Sequence, residues 1–352
     1  MAIVTIVGAG MMGTALCWPL SDNGHTVRLV GTPLDHEIIE SIRKNGSHPK
    51  LQRKVPAGVV PYDADDLPEA IQGADLVVNG VSSFGTDWFA QQIGPLLRID
   101  LPVVAVTKGL EVLPDGDVQP LPEYINGRLP AHLKDRVSLN AIAGPCIAHE
   151  LAARRQTAVV FCGKDTAELE HLKGMFSTPY YHIWISQDVK EVEICAALKN
   201  GYALAVGIII GMSDVAGIDG LAHMYNPQAA IFAQSTVEMQ RLIRALGGNE
   251  KHVTWLPGAG DLYVTVFGGR TRRLGQLLGQ GNSTAQALKI MSDVTLESVE
   301  IIARTATALD LLAERGRVDL QDFPLLRFLN GVLHQGKPMT VPWDSFFAHP
   351  SL

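Results

Sequence analysis

The sequence predicts an α/β protein: an N-terminal doubly wound parallel sheet followed by an all-helical C-terminal domain. Three observations predict this. Short, wholly apolar runs recur through residues 1–188, with helical patterns between them. A glycine-rich turn joins the first of these runs to the first helical pattern. Beyond about residue 187 the apolar runs become scarce and long helical patterns take over.

Residues 2–8, AIVTIVG, form a continuous β-branched run, the pattern of a parallel strand buried on both faces. GAGMMG then opens a helix expected to end at Gly24, and HTVRLV follows as the second strand. Further strands are expected at 75–81, 102–106, 139–143, 158–161 and 182–185. In the second half, Asn226-Pro227 predicts a helix start, with Asn as N-cap and Pro at the first helical position. That helix should run to Gly247-Gly248, and a second long helix is expected over 284–314. The expected domains are 1–188 and 189–352.

The 352 residues suit two domains of roughly 150 each. Hydrophobic residues at 47% and charged residues at 18% supply buried cores and exclude a disordered chain. A net charge of −7 excludes the broad basic surface of a nucleic-acid binder, so any anionic ligand must be met by a few local cations. The cysteines Cys17, Cys146, Cys162 and Cys195 show no CxxC or metal spacing. Reduced thiols, no metal and a cytoplasmic location are expected, and no basic leader precedes the first strand. The apolar stretch 194–212 contains Lys199 and Asn200, which are costly in lipid. It is read as a buried helix beside a polar site, without membrane insertion.

Gly8, Gly10 and Gly13 make a G-x-G-x-x-G turn between a buried strand and a helix. Gly8 permits the tight turn, Gly10 lets a pyrophosphate approach the backbone, and Gly13 lets the helix pack closely on the strand. The helix start offers free N–H groups and a positive dipole end to the phosphates. This predicts a Rossmann-type fold binding NAD or NADP. The second strand ends in Val30-Gly31-Thr32-Pro33, and Asp35 comes late for a ribose-binding carboxylate, so neither dinucleotide is selected.

The whole chain resembles the NAD(P)-dependent glycerol-3-phosphate dehydrogenase family. The resemblance rests on ordered blocks: GAGMMG at 8–13, VTKGLE at 106–111, GPCIAHE at 144–150, ALKN at 197–200, GAGDLYVT at 258–265 and GGRTRRLG at 268–275. It implies that Lys199 acts in proton transfer, with Lys108 and Asp261 at the reacting centre. It implies substrate contacts from Lys108, Asn200, Asp261, Thr265, Arg270 and Thr271. It implies cofactor contacts from Gly8, Gly10, Met11, Met12, Gly13, Thr32, Ser82, Lys108, Ala148, Arg270 and Glu297. Three positions depart from the family pattern: Thr271 stands where Asn is usual, Ser82-Ser83 where Pro-Ser is usual, and Glu297-Ser298 where Glu-Gly is usual.

The chemistry suits these residues. Reduction of a ketone beside a phosphate ester builds negative charge on the carbonyl oxygen, and a positioned ammonium such as Lys199 stabilises that charge and donates a proton. Arg270 offers a guanidinium fork for phosphate. The expected activity interconverts sn-glycerol 3-phosphate and dihydroxyacetone phosphate, and the reading is compatible with a homodimer. Three alternatives stand beside it: a longer polyol phosphate such as a tetritol phosphate, a 3-hydroxy acid or ketopantoate-type substrate, and a dinucleotide sensor without turnover.

Overall fold

A computed structural model describes residues 1–216, 223–292 and 296–346. It divides into two compact units. Unit 1 comprises residues 1–108 and 120–192, and unit 2 comprises 109–119 and 193–352.

The strands in chain order are β1 (Ile3–Val7), β2 (Thr26–Val30), β3 (Ser47–His48), β4 (Arg53–Lys54), β5 (Val60–Tyr62), β6 (Leu76–Asn79), β7 (Val103–Ala105), β8 (Leu110–Val112), β9 (Val118–Pro120), β10 (Leu139–Ala143), β11 (Thr157–Cys162) and β12 (Tyr181–Ser186). Eight of them form the main sheet of unit 1, in the order β12-β11-β10-β7-β6-β1-β2-β5. Strands β5-β2-β1-β6-β7-β10 reproduce the doubly wound Rossmann order. The order reverses between β1 and β6, whose carboxyl ends therefore mark the ligand-binding crevice of such sheets. The pairs β1–β2, β1–β6, β6–β7 and β7–β10 are parallel, as expected. The pair β10–β11 is antiparallel, which corrects the wholly parallel expectation. Both strands are apolar and buried on both faces, and that composition carries no strand direction.

The first helix also differs from its expectation. It runs as Met11–Ala15 and Cys17–Asp22, divided at Leu16. Pro19 has no N–H to return to the Ala15 carbonyl, so the helical ladder is interrupted there. The turn that ends it is as expected, with Gly24 at φ +78.

Unit 2 is built on the helix Val189–Ala216. It is long and apolar enough to cross a membrane, yet 89% of its most apolar window is buried inside the protein. It is a core helix, packed all round with Ile194, Leu198, Tyr202, Leu204 and Ile208 in one apolar cluster. Four glycines bring it against the helix Arg270–Gly279: a Cβ on Gly207, Gly211, Gly275 or Gly279 would strike backbone of the opposite helix. Unit 2 also takes in the hairpin β8–β9, from sequence expected in the first domain. Leu110 and Val118 are buried in the helical core, and Arg304 donates to the Leu110 carbonyl and pairs with Glu111.

Two helix readings are corrected here. The helix expected from Asn226 begins at Tyr225, and its N-cap is Met224 in the left-handed region at φ 43. The helix expected over 284–314 is two: Thr284–Ile290, capped by Ser283, and Glu297–Glu314. Ile290, Met291, Val294 and Leu296 keep a helix-like apolar spacing through the junction, which hides the break. Residues 293–295 lie outside the described chain.

Candidate active site

In unit 1 the glycine turn follows β1 directly. Gly8 has φ +105, and a Cβ there would sit 2.7 Å from the Gly80 carbonyl carbon, so the end of β1 and the end of β6 touch only because both residues are glycine. Gly13 packs onto the Gly8 carbonyl, where no side chain fits. Gly10 differs: a Cβ there would have nothing within 4 Å. That open space lies where the helix Met11–Ala15 begins, so free backbone N–H groups face a clear approach. This is the geometry a dinucleotide pyrophosphate needs, and the residues present fit one.

The other expected cofactor residues of unit 1 gather around this turn. Met11 is exposed and Met12 half-buried in the helix start. Thr32 lies two residues beyond β2, and its backbone N–H and hydroxyl both donate to Asp35, at 3.0 and 2.7 Å. Ser82 is exposed two residues beyond Gly80. Ala148 opens a short helix that packs against Met11–Ala15. Lys108 is half-buried, and its neighbour Thr107 donates to the Val81 carbonyl at 2.7 Å, holding this segment at the end of β6.

In unit 2 the structure brings Lys199, Asp261 and Thr265 into direct contact. Lys199 Nζ donates to Asp261 Oδ1 at 2.8 Å and to Thr265 Oγ1 at 2.8 Å. Thr265 in turn donates to the Asp261 carbonyl at 2.7 Å. Lys199 is 7% exposed and Asp261 2%, so this is a buried charge pair. A buried lysine holds its charge only with such a partner. Its position mid-helix follows from the apolar flanks Cys195–Leu198 and Tyr202–Ala205, all buried.

Asp261 reaches this place through an unusual backbone. Leu256–Gly260 form a single π-helical turn that runs straight into the helix Asp261–Val266. Ala259 N–H bonds to Val253 O at 2.6 Å and Gly260 N–H to Trp255 O at 2.9 Å. Gly258 lies against the Val253 backbone, where any Cβ would overlap. Single π turns of this kind cluster at functional positions because they rotate the next side chain out of α register.

Arg270 and Thr271 occupy the first turn of the helix Arg270–Gly279. Gly269, at φ +93, sets up that turn. Arg270 is exposed and Thr271 half-buried. Arg272 Nη1 donates to the Phe267 carbonyl at 3.1 Å, clasping the glycine turn, which is the structural part that a basic turn residue plays. Asn200 is half-buried next to Lys199, and Glu297 is half-buried at the first position of its helix.

Behind the lysine helix lies another buried carboxylate, which no sequence pattern announces. Glu238 accepts from Tyr202 Oη at 3.1 Å, Gln234 Nε2 at 2.9 Å, and the Leu325 and Leu326 N–H groups at 2.7 and 2.9 Å. Burial pushes its carboxyl up to about 7, against the pull of those four donors. Sequence reasoning also missed His48, which is fully buried beneath the glycine turn. Its link to Ala9 spans 39 residues, and no local pattern announces it.

Comparison with known proteins agrees with both halves. The model of the NAD-dependent glycerol-3-phosphate dehydrogenase N-terminus matches residues 3–169, and that of the C-terminus matches residues 188–343. An NADP(+)-dependent glycerol-3-phosphate dehydrogenase of Archaeoglobus fulgidus is 35% identical over 95% of this chain and 96% of its own length. A glycerol-3-phosphate dehydrogenase [NAD(P)+] of Streptococcus suis is 31% identical over 95% of this chain and 92% of its own. The crystal structure of glycerol-3-phosphate dehydrogenase from Coxiella burnetii shares the fold, with a TM-score of 0.79, 24% identity, and coverage of 98% of this chain and 97% of that one.

Proposed function

We propose, from the premise that this chain belongs to the NAD-dependent glycerol-3-phosphate dehydrogenase family, that Lys199 is the proton carrier in its NAD(P)-linked interconversion of sn-glycerol 3-phosphate and dihydroxyacetone phosphate. The observation that carries this is the buried Lys199–Asp261–Thr265 contact. The nicotinamide supplies the hydride. The rest falls to the chain's own side chains.

In the reductive direction the Lys199 ammonium gives its proton to the C2 carbonyl oxygen as that oxygen gains charge. In the oxidative direction the amine takes the proton from the C2 hydroxyl. Asp261 and Thr265 fix the direction of the ammonium, so no side-chain freedom is lost when substrate binds. Lys108 adds a second cation at the reacting centre, and Asn200 and Thr265 hold substrate oxygens. Arg270 grips the phosphate, with Thr271 beside it on a helix start whose N–H groups favour an anion. Gly8, Gly10, Met11, Met12, Gly13, Thr32, Ser82, Lys108, Ala148, Arg270 and Glu297 serve the dinucleotide. A cytoplasmic location is proposed with this activity, and a homodimer is the proposed assembly.

The test is the loss of reduced-cofactor absorbance, run with NADH and with NADPH on dihydroxyacetone phosphate, a four-carbon keto phosphate and ketopantoate. Turnover of dihydroxyacetone phosphate at higher kcat/KM than the others is expected. Preference for the four-carbon phosphate or the carboxylate would overturn the substrate assignment.

A further inference from the structure

The glycine turn contains one residue whose backbone N–H and carbonyl are both held by residues outside the motif. Ala9 is fully buried. Its N–H donates to Asp35 Oδ2 at 3.2 Å. Its carbonyl accepts from His48 Nε2 at 2.9 Å and from Thr14 Oγ1 at 3.2 Å. We propose that Asp35 and His48 are positioning residues that clasp the Ala9 backbone, one on its N–H and one on its carbonyl, and hold the pyrophosphate turn in its binding shape, and that Asp35 does not read the adenosine ribose. This rests on the dinucleotide reading of the turn.

The partners of His48 dictate its protonation state. The Ala9 carbonyl can only accept, so Nε2 carries the hydrogen. The Leu51 N–H can only donate, and it points to Nδ1 at 3.1 Å, so Nδ1 carries none. The ring is a neutral single tautomer, and burial holds its pKa below the usual imidazole value. The ring is brought there by the β3–β4 hairpin, which pairs Ser47 with Lys54 and is closed by Val55 N–H on Gly46 O at 2.8 Å. The excursion after β2 thus delivers one donor to the underside of the turn.

Asp35 Oδ2 takes three donors from the chain itself: Ala9 N, Thr32 N and Thr32 Oγ1. A carboxylate that selects NAD accepts from the ribose hydroxyls instead. Here that oxygen is occupied in tying the end of β2 to the glycine turn. The clasp acts on the backbone of the glycine turn, which serves the pyrophosphate common to both dinucleotides, so its loss should weaken NADH and NADPH alike.

The experiment is titration calorimetry of the substrate-free protein with NADH and with NADPH, for wild type, Asp35→Ala, His48→Phe and His48→Gln. Loss of the Ala9 amide's partner in Asp35→Ala, or of the shorter of the two bonds to its carbonyl in His48→Phe, predicts about tenfold weaker binding of both dinucleotides. The NADH to NADPH ratio of Kd should stay within about twofold of wild type, and His48→Gln, whose amide can still donate, should recover most of the loss. A ratio moved about tenfold toward NADPH by Asp35→Ala would show that the carboxylate reads ribose and overturn the proposal. So would wild-type affinity in Asp35→Ala, a half-exposed turn position that tests the clasp even should the buried His48→Phe change fail to fold. Wild-type protein that binds neither dinucleotide would overturn the underlying reading as well, and is told apart by needing no variant.

Discussion

Gly207→Ala should separate the two helices proposed to carry the substrate chemistry. Gly207 lies about two turns beyond Lys199 on the same helix. An alanine Cβ there would stand 2.7 Å from the Arg272 carbonyl oxygen and 3.2 Å from the Cα atoms of Arg272 and Gly275. Ordinary van der Waals contact begins at 3.4 Å, so the first turn of the Arg270–Gly279 helix must retreat by about 0.7 Å. It cannot do so cheaply, because Gly211, Gly275 and Gly279 pack just as tightly along the same seam. Overpacking of this kind costs about 1–3 kcal/mol. A displacement near 1 Å of a group that positions substrate costs up to ~10²-fold in rate. We therefore expect kcat/KM for dihydroxyacetone phosphate to fall by about tenfold or more, chiefly through KM, since Arg270 and Thr271 sit on the displaced turn. The dinucleotide Kd, measured by calorimetry, should change by less than KM, because Arg270 is the one proposed dinucleotide contact on the displaced turn. A folded Gly207→Ala protein with wild-type KM and an unchanged melting temperature would refute the argument that backbone contact sets this spacing.

Two further outcomes follow. Asp261→Ala strands the Lys199 ammonium with its charge partner gone, a change that costs about 3–5 kcal/mol for a buried pair; differential scanning calorimetry should show a melting temperature lower by roughly 6–20 °C, and an unchanged value would refute the pairing. Glu238 has its folded pKa raised to about 7 from 4.5, so the fold binds its proton more tightly than the unfolded chain does. Its contribution is fully present below about pH 4.5 and is lost as pH rises to about 7, a swing of roughly 3 kcal/mol. Urea unfolding between pH 5 and pH 8 should show this decline in wild type and not in Glu238→Gln; equal slopes in the two proteins would refute it.

Much of unit 1 was legible because parallel strands buried on both faces leave near-continuous apolar runs, and AIVTIVG before GAGMMG is the clearest of them. What was not legible has a common cause in non-local contact. The direction of β11 is set by the path of the chain after Gly144, whereas its own residues would suit either direction. The three-residue strands β5, β8 and β9 are too short to show alternation. The hairpin 109–119 joins unit 2 through Leu110, Val118 and Arg304, whose partners lie almost two hundred residues away. The π turn before Asp261 depends on Gly258 meeting Val253, which a sequence shows only as one more glycine.

The site divides the same way. Lys199, Asp261 and Thr265, which the resemblance to the family singled out, have side chains that meet within hydrogen-bonding distance. The physics of the sequence alone justified a lysine there only as an odd charge on an apolar helix. Asp35 was visible but out of step with the usual ribose acid, and the structure explains its lateness: it bonds Ala9 and Thr32. His48 and Glu238 were invisible because each acts on backbone groups far along the chain.

The most direct test of the account is Lys199→Ala assayed on dihydroxyacetone phosphate with dinucleotide affinity measured in parallel. The account predicts kcat lower by at least ~10²-fold, the contribution of a positioned general acid, with dinucleotide Kd essentially unchanged. Near-normal kcat in a folded Lys199→Ala protein would contradict it.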